Sequence, residues 1–175
     1  MRKRMREMTE KNAPEIERKY LIAYPDMEWL AVHAEKSSIV QTYLASEEYV
    51  TARVRKREWA DRCVYYYTEK KLITAVTKME YEREIDREEY ESLLAKADRD
   101  RKSVLKDRYC LAYKDQLFEI DVYPFYTDRA IMEIEMESEE QKIDFPPEIR
   151  ILKEVTSDRR YSNASMAKNV PYDKL

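Results

Sequence analysis

The stretch Glu15-Ile16-Glu17-Arg18-Lys19-Tyr20-Leu21-Ile22 decides how the chain is read. With the two-residue period of a strand it places Glu15, Glu17, Lys19 and Leu21 on one face and Ile16, Arg18, Tyr20 and Ile22 on the other. One such strand says little, because a half-exposed strand of any protein alternates polar with apolar residues. Here the pattern recurs. Arg53, Arg55 and Arg57 stand at i, i+2, i+4, as do Lys78, Glu80, Glu82 and Glu84; then come Lys106 with Arg108, Glu119 with Asp121, and Glu133, Glu135 and Glu137. Any fold for this chain has to accommodate charge sorted by sign onto single strand faces.

The 175 residues suffice for one domain with a core and fall short of two. Charged residues make up 39% of the chain, a level met in disordered segments, but fifteen tyrosines and the regular alternation predict a folded chain. The formal charge of -3 supplies no basic field to draw nucleic acid or an anionic membrane, so any anion site is a local cluster. Cys63 and Cys110 lack a metal-ligand spacing, and a single histidine, His33, removes most zinc and histidine-based catalytic designs. No apolar run reaches membrane-spanning length, and the basic start Met1 to Arg6 leads into polar residues where a secretion signal would be apolar, which predicts a cytoplasmic protein. An outer-membrane barrel is set aside because its lipid-facing band would carry Arg18, Lys56, Glu69, Arg83 and Asp107. Glycine is absent, so Asp and Asn are expected at turn positions with positive φ, and longer loops are expected in place of tight two-residue hairpins.

Residues 1–14 read as a flexible leader and 15–175 as a single domain. After the first strand, Pro25-Asp26 starts a short helix through Leu30 and Ala34, where Trp29 and His33 pack without chemistry. Strands follow at Ile39 to Ala45, Val50 to Arg57, Cys63 to Lys70 and Lys78 to Ile85. Asp86-Arg87-Glu88-Glu89 is a capping box for a helix with Tyr90, Leu93, Leu94 and Ala97 along one stripe. Lys102 to Cys110, Gln116 to Tyr123 and Ala130 to Glu137 complete eight strands. Ser138-Glu139-Glu140-Gln141 reads as a second capping box, for a helix stopped by Pro146-Pro147, and Arg160 to Asn169 as a short C-terminal helix.

Eight short strands at near-regular spacing predict a barrel or a sandwich, and periodicity alone leaves open whether the charged faces meet solvent or an interior. The motifs speak to that choice. Glu15-x-Glu17-x-Lys19, Arg53-x-Arg55, Thr68-x-Lys70, Glu80-Tyr81-Glu82, Leu117-Phe118-Glu119-Ile120-Asp121, Glu133-Ile134-Glu135, and Glu154-Val155-Thr156 running on to Arg160-Tyr161-Ser162-Asn163 occur in this order. Together, over residues 15 to 168, they resemble the CYTH, or triphosphate tunnel metalloenzyme, superfamily. The resemblance implies an α+β fold: an eight-stranded antiparallel β-barrel with a charged lumen, a tunnel, and a few short helices packed outside.

Burying so many charges costs several kcal/mol per ion unless they are paired, and like charges along one strand favour a guest of opposite sign. Carboxylates suit hard divalent cations; Arg and Lys suit phosphate. The resemblance accordingly implies a metal-dependent hydrolase of a small-molecule triphosphate, inorganic tripolyphosphate first among them, with Mg²⁺ or Mn²⁺ as cofactor. It implies Lys19, Arg53, Arg55, Lys70, Lys106, Arg108 and Arg160 as phosphate ligands, with Arg57 and Lys78 as weaker candidates. Glu15, Glu17, Glu133 and Glu135 are the implied metal ligands, with Glu119 and Asp121 as additional ligands or as groups that brace them. Glu80 and Glu82 would act on the attacking water, with Lys19 assisting catalysis. Nucleoside or thiamine triphosphatase, class IV-type adenylate cyclase and a non-catalytic polyphosphate-binding module are the alternatives, and the oligomeric state stays open between monomer and homodimer. Two departures stand out: relatives often carry Arg where Lys78 stands, and glycines they tend to have are missing at Glu58 to Arg62 and Leu152-Lys153.

Overall fold

The first strand, β1 (Ile16–Ala23), lies between the eighth and the ninth, pairing antiparallel with both. The computed structural model describes residues 16–72 and 78–174, with Leu72 and Lys78 by backbone alone. The leader, Glu15 and the Lys78 side chain therefore lie outside the described residues. In chain order follow α1 (Met27–His33), β2 (Ala34–Leu44), β3 (Val50–Glu58), β4 (Cys63–Leu72), β5 (Lys78–Ile85), α2 (Arg87–Leu94), β6 (Val104–Tyr113), β7 (Gln116–Val122), β8 (Arg129–Met136), β9 (Ile151–Glu154), a 3-10 turn at Arg159–Tyr161 and α3 (Asn163–Met166).

All nine strands form one antiparallel sheet in the order β5-β4-β3-β2-β6-β7-β8-β1-β9. This corrects the closed eight-stranded barrel: among the described residues the edges β5 and β9 are not paired with each other. Closure needs a hydrogen-bonded partner for β5, and β9, only four residues long, gives its pairing to β1. The sheet is still curved, because the two faces carry different loads. On the convex face Tyr20, Ile22, Tyr109, Leu111, Phe118, Ile120, Met132 and Ile134 form a buried core under α1 and the segment 143–149. A second convex cluster joins Ala52, Val54, Ile85 and Tyr90 to Leu93 and Leu94 of α2. The apolar stripe of α2 is thus outside the sheet, as the family resemblance implies, except for Ala97, which falls past the helix end and bridges to Leu44.

Local signals explain the helices. Asp26 caps α1, its carboxylate accepting from the amides of Glu28 and Trp29, and Asp86 caps α2 by accepting from Glu89 N at 2.8 Å. His33 stacks on Trp29 and has its Nδ1 2.8 Å from the Trp29 carbonyl oxygen, a packing role. The second capping box does not form a helix. Gln141 instead accepts from Glu137 N through its side chain, and an extended path past Pro146 lets Ile143, Phe145 and Ile149 all reach the convex core, which one short helical turn would not allow. The C-terminal helix is also broken, at Ser162, whose hydroxyl caps α3. The expectation about hairpins fails as well. Lys114 and Asp115 join β6 to β7 as a two-residue turn with φ of 45° and 60°, and Tyr49 has φ of 67°, so left-handed positions fall on Lys and Tyr as well as Asp.

On the concave face one end is apolar. Leu21, Tyr43, Val104, Tyr123 and Ile131 meet Val155, Tyr161, Met166 and Ala167 of the C-terminal segment in a buried plug. The charged residues occupy the rest of that face.

Candidate active site

The concave face encloses a cavity of about 1430 Å³. Of the residues marked out by sequence, Glu17, Lys19, Arg53, Arg55, Lys70, Glu80, Glu82, Lys106, Arg108, Glu119, Glu133 and Glu135 all line it. They arrive there because each strand's charged parity faces inward while its apolar parity feeds the convex core.

The wall built by β6, β7, β8 and β1 is an ionic network closed on itself. Cross-strand register sets Arg108 opposite Asp121 and Lys19 opposite Glu133. Arg108 donates from Nε to Asp121 Oδ1 at 2.7 Å and from Nη2 to Oδ2 at 2.8 Å, and it also reaches Glu119 and, at 3.3 Å, Glu133. Lys106 donates to Asp121 Oδ2. The Asp121 side chain has no exposed surface and both its oxygens are taken. Burial alone would raise its carboxyl, but Arg108 and Lys106 hold it well below the usual range, so it is a permanent anion. Burial, reinforced by the Arg108 charge, lowers the Lys106 ammonium to about 8. Lys19 lies 2.8 Å from Glu133 and 3.7 Å from Glu17; burial pulls it down, and the two carboxylates more than compensate, so it stays protonated above its ordinary value. The Glu154-Val155-Thr156 motif serves this residue: Val155 N donates to the Lys19 carbonyl at 2.8 Å, and Lys19 N donates to Thr156 Oγ1 at 3.0 Å.

The wall built by β3, β4 and β5 is looser. Arg55 Nη2 donates to both oxygens of Glu82, at 3.1 and 3.2 Å, and Thr68 donates to Glu82 Oε2 at 2.8 Å. Arg53 is 3.9 Å from Glu80, which is held by Lys70. The Nε atoms of Arg53 and Arg55 are buried without a hydrogen-bond partner. Burial draws the Arg55 guanidinium below its ordinary value against the pull of Glu82. Arg57 is occupied, donating to Ser37 Oγ at 2.9 Å and lying over Trp59.

Glu17 is the carboxylate that invites a cation. Burial and the charge of Glu133 both raise it, and it stands in register with Glu135, so three glutamates crowd one end of β1 and β8. No group of three or more His, Cys, Asp or Glu side chains is set to hold a metal among the described residues. A hard divalent ion bound through one or two carboxylates, with water and guest oxygens completing its shell, suits this donor set.

Arg160 is turned elsewhere, into ion pairs with Asp158 at 2.6 Å and Asp173 at 2.8 Å, while its neighbour Arg159 lines the cavity. Sequence reasoning also missed Gln41, Tyr43, Asp98 and Arg101 as lining residues. Gln41 and Tyr43 were legible as one strand face; Arg101 follows α2 off any strand and gives no periodic signal.

A nine-stranded sheet cupping cations and carboxylates around one cavity defines a class, and the sequence profile of the CYTH domain matches residues 13–168: the chain belongs to the CYTH domain family. It is 33% identical over 161 residues to the inorganic triphosphatase of Nitrosomonas europaea, an alignment covering 90% of this chain and 99% of that protein. The crystal structure of the inorganic triphosphatase NE1496 matches with a TM-score of 0.61 at 31% identity, over 91% of this chain and 98% of that one. The PH1819 protein from Pyrococcus horikoshii OT3 shares the fold, with a TM-score of 0.52 at 17% identity over 71% of this chain and 80% of its own.

Proposed function

We propose that this chain is a divalent-metal-dependent triphosphatase that hydrolyses inorganic tripolyphosphate to pyrophosphate and phosphate. The observation that carries the reading is the pair of buried, unpartnered Nε donors on Arg53 and Arg55 facing the same cavity as the crowded Glu17, Glu133 and Glu135. Buried guanidinium donors beside crowded carboxylates on one cavity fit a guest that carries a metal and a phosphate chain together. The inorganic triphosphatase relative supports the choice of substrate.

In this mechanism Arg53, Arg55, Lys70 and Lys19 bind and orient the phosphates, Arg as a fork and Lys as a point charge. Lys106 and Arg108 act through the fixed field of their network, since Asp121, Glu119 and Glu133 already take their hydrogens. Glu82, held by Arg55 and Thr68, aligns a water for in-line attack on a terminal phosphorus and accepts its proton as the bridging P–O bond breaks. Glu80, steadied by Lys70, supports the same water. One or two of Glu17, Glu133 and Glu135, with Glu15 two residues before Glu17 in sequence, would hold Mg²⁺ or Mn²⁺, which when bound neutralises phosphate oxygens and acidifies water. Asp121 and Glu119 are counter-ions of Arg108 in this reading. Among the described residues no helix is long and apolar enough to cross a membrane.

A phosphate-release assay with tripolyphosphate, pyrophosphate, ATP and thiamine triphosphate, each with Mg²⁺, Mn²⁺ or EDTA, tests the proposal. Release from tripolyphosphate with either metal and none in EDTA is expected. A large thermal shift with tripolyphosphate and no phosphate released under any divalent ion would leave a binding module in its place.

A further inference from the structure

We infer that Arg101 grips the far phosphate of the substrate and so sets the preference for a three-phosphate chain over a shorter one; this rests on the triphosphatase reading above. Arg101 sits in the connection between α2 and β6, and that connection is pinned on two sides. Asp98 N donates to the Tyr43 carbonyl of β2 at 2.9 Å, and Lys102 N donates to the Ala167 carbonyl beside α3 at 2.8 Å. The position of Arg101 is therefore fixed by the sheet and by the C-terminal segment together.

From there its guanidinium lies over the Tyr43 ring, 5.2 Å from the centroid. Tyr43 is the cross-strand partner of Arg53, and its hydroxyl accepts from Gln41 Nε2 at 2.8 Å. Arg101 thus lies over the residue one strand across from Arg53, and Arg53 is two residues or about 6.6 Å from Arg55 along β3. All three share one property. Among the described residues the buried guanidinium Nε atoms without a hydrogen-bond partner belong to Arg53, Arg55 and Arg101, and all three residues line the same cavity. The nearest carboxylate to the Arg101 Nε is Asp98 Oδ2 at 3.6 Å, too far for a hydrogen bond but close enough to hold the side chain in place.

A buried donor left unmade costs desolvation, which an oxygen of a guest returns. Three such donors spread over one cavity wall call for an elongated anion with oxygens along its length. A short anion satisfies Arg53 and Arg55 and stops; a third phosphate reaches Arg101. The arginine at the plugged end therefore reads chain length, separately from the carboxylates that act on water.

Calorimetric titration of tripolyphosphate and of pyrophosphate in EDTA, into wild type, Arg101→Gln and Arg101→Lys, tests this. Arg101→Gln should weaken tripolyphosphate at least tenfold and pyrophosphate less than twofold, with Arg101→Lys in between because it keeps charge without the fork. In turnover KM for tripolyphosphate should rise more than kcat falls. Equal losses for both anions, or no loss for tripolyphosphate, would overturn the inference. If Arg101→Gln does not fold, the tripolyphosphate-to-pyrophosphate ratio of Arg101→Lys decides in the same way. Wild type that binds tripolyphosphate in this pattern and releases no phosphate would sink the hydrolase and keep the role of Arg101.

Discussion

The two walls of the cavity carry the same period-two charge and do different things with it. On the β6-β7-β8-β1 wall the Lys106 side chain is 2% exposed and that of Asp121 0%, and every oxygen of Asp121 is taken. On the β3-β4-β5 wall Arg53 stands 3.9 Å from Glu80, and two Nε donors have no hydrogen-bond partner. A buried ion pair is destabilising to break and seldom stabilising to have, so the Lys106, Arg108 and Asp121 cluster of the first wall is committed to its own geometry. The second keeps bonding capacity in reserve. Charge on a strand face therefore reports a polar interior, while the cross-strand register decides whether that interior is a strut or a binding surface.

The sharpest break between the walls should come from Glu82→Gln. Turnover of tripolyphosphate should fall by roughly 10² to 10⁴, while stability in urea falls less than in Asp121→Asn, because the Arg55–Glu82 pair is only partly buried and Gln keeps an oxygen for Thr68 and Arg55. Asp121→Asn should do the opposite, costing about 3–5 kcal/mol at pH 7 by leaving the buried Lys106 without its carboxylate and Arg108 with only Glu119 and Glu133. The sign follows from linkage: the Asp121 carboxyl is lowered by folding, so its stabilisation is present above its ordinary value of 3.8 and lost as pH falls below it. Urea midpoints at successively lower pH should thus converge for wild type and Asp121→Asn. If the two variants shift stability equally at pH 7, the division between walls is wrong.

A smaller effect separates affinity from chemistry on the open wall. Arg53→Ala should shrink the thermal shift given by tripolyphosphate, which at about 100 times the dissociation constant is worth about 2.7 kcal/mol and falls as affinity falls. The smallest is a titration. The carbon beside the Lys106 ammonium should report a midpoint near pH 8 by NMR, against 10.5 for an ordinary lysine, and Asp121→Asn should push it lower by removing the anion that supports the charged form.

Much of this was legible residue by residue. The bounds of β5, the Asp86 cap of α2 and the strand parity of Glu17, Arg53 and Glu133 follow from local alternation and capping chemistry, while their turning inward followed from the resemblance to the family. What was not legible depends on partners distant in sequence. Barrel closure turns on whether β5 meets β9, which no local pattern encodes. The bonds of Asp121 to Arg108 and Lys106 come from cross-strand register, which its own strand does not encode. Ser138 to Gln141 carries a helix start signal that loses to the burial of Ile143 and Phe145, and Arg160 answers to Asp173, thirteen residues on.

The apolar plug at one end of the concave face has a consequence for traffic. Leu21, Tyr123 and Ile131 pack under Tyr161 and Met166 as an apolar floor that a charged guest does not cross. Pyrophosphate leaving and tripolyphosphate arriving then both pass over the same arginines. The product should compete directly with the substrate, and the slowest event in the cycle is as apt to be departure as bond breaking.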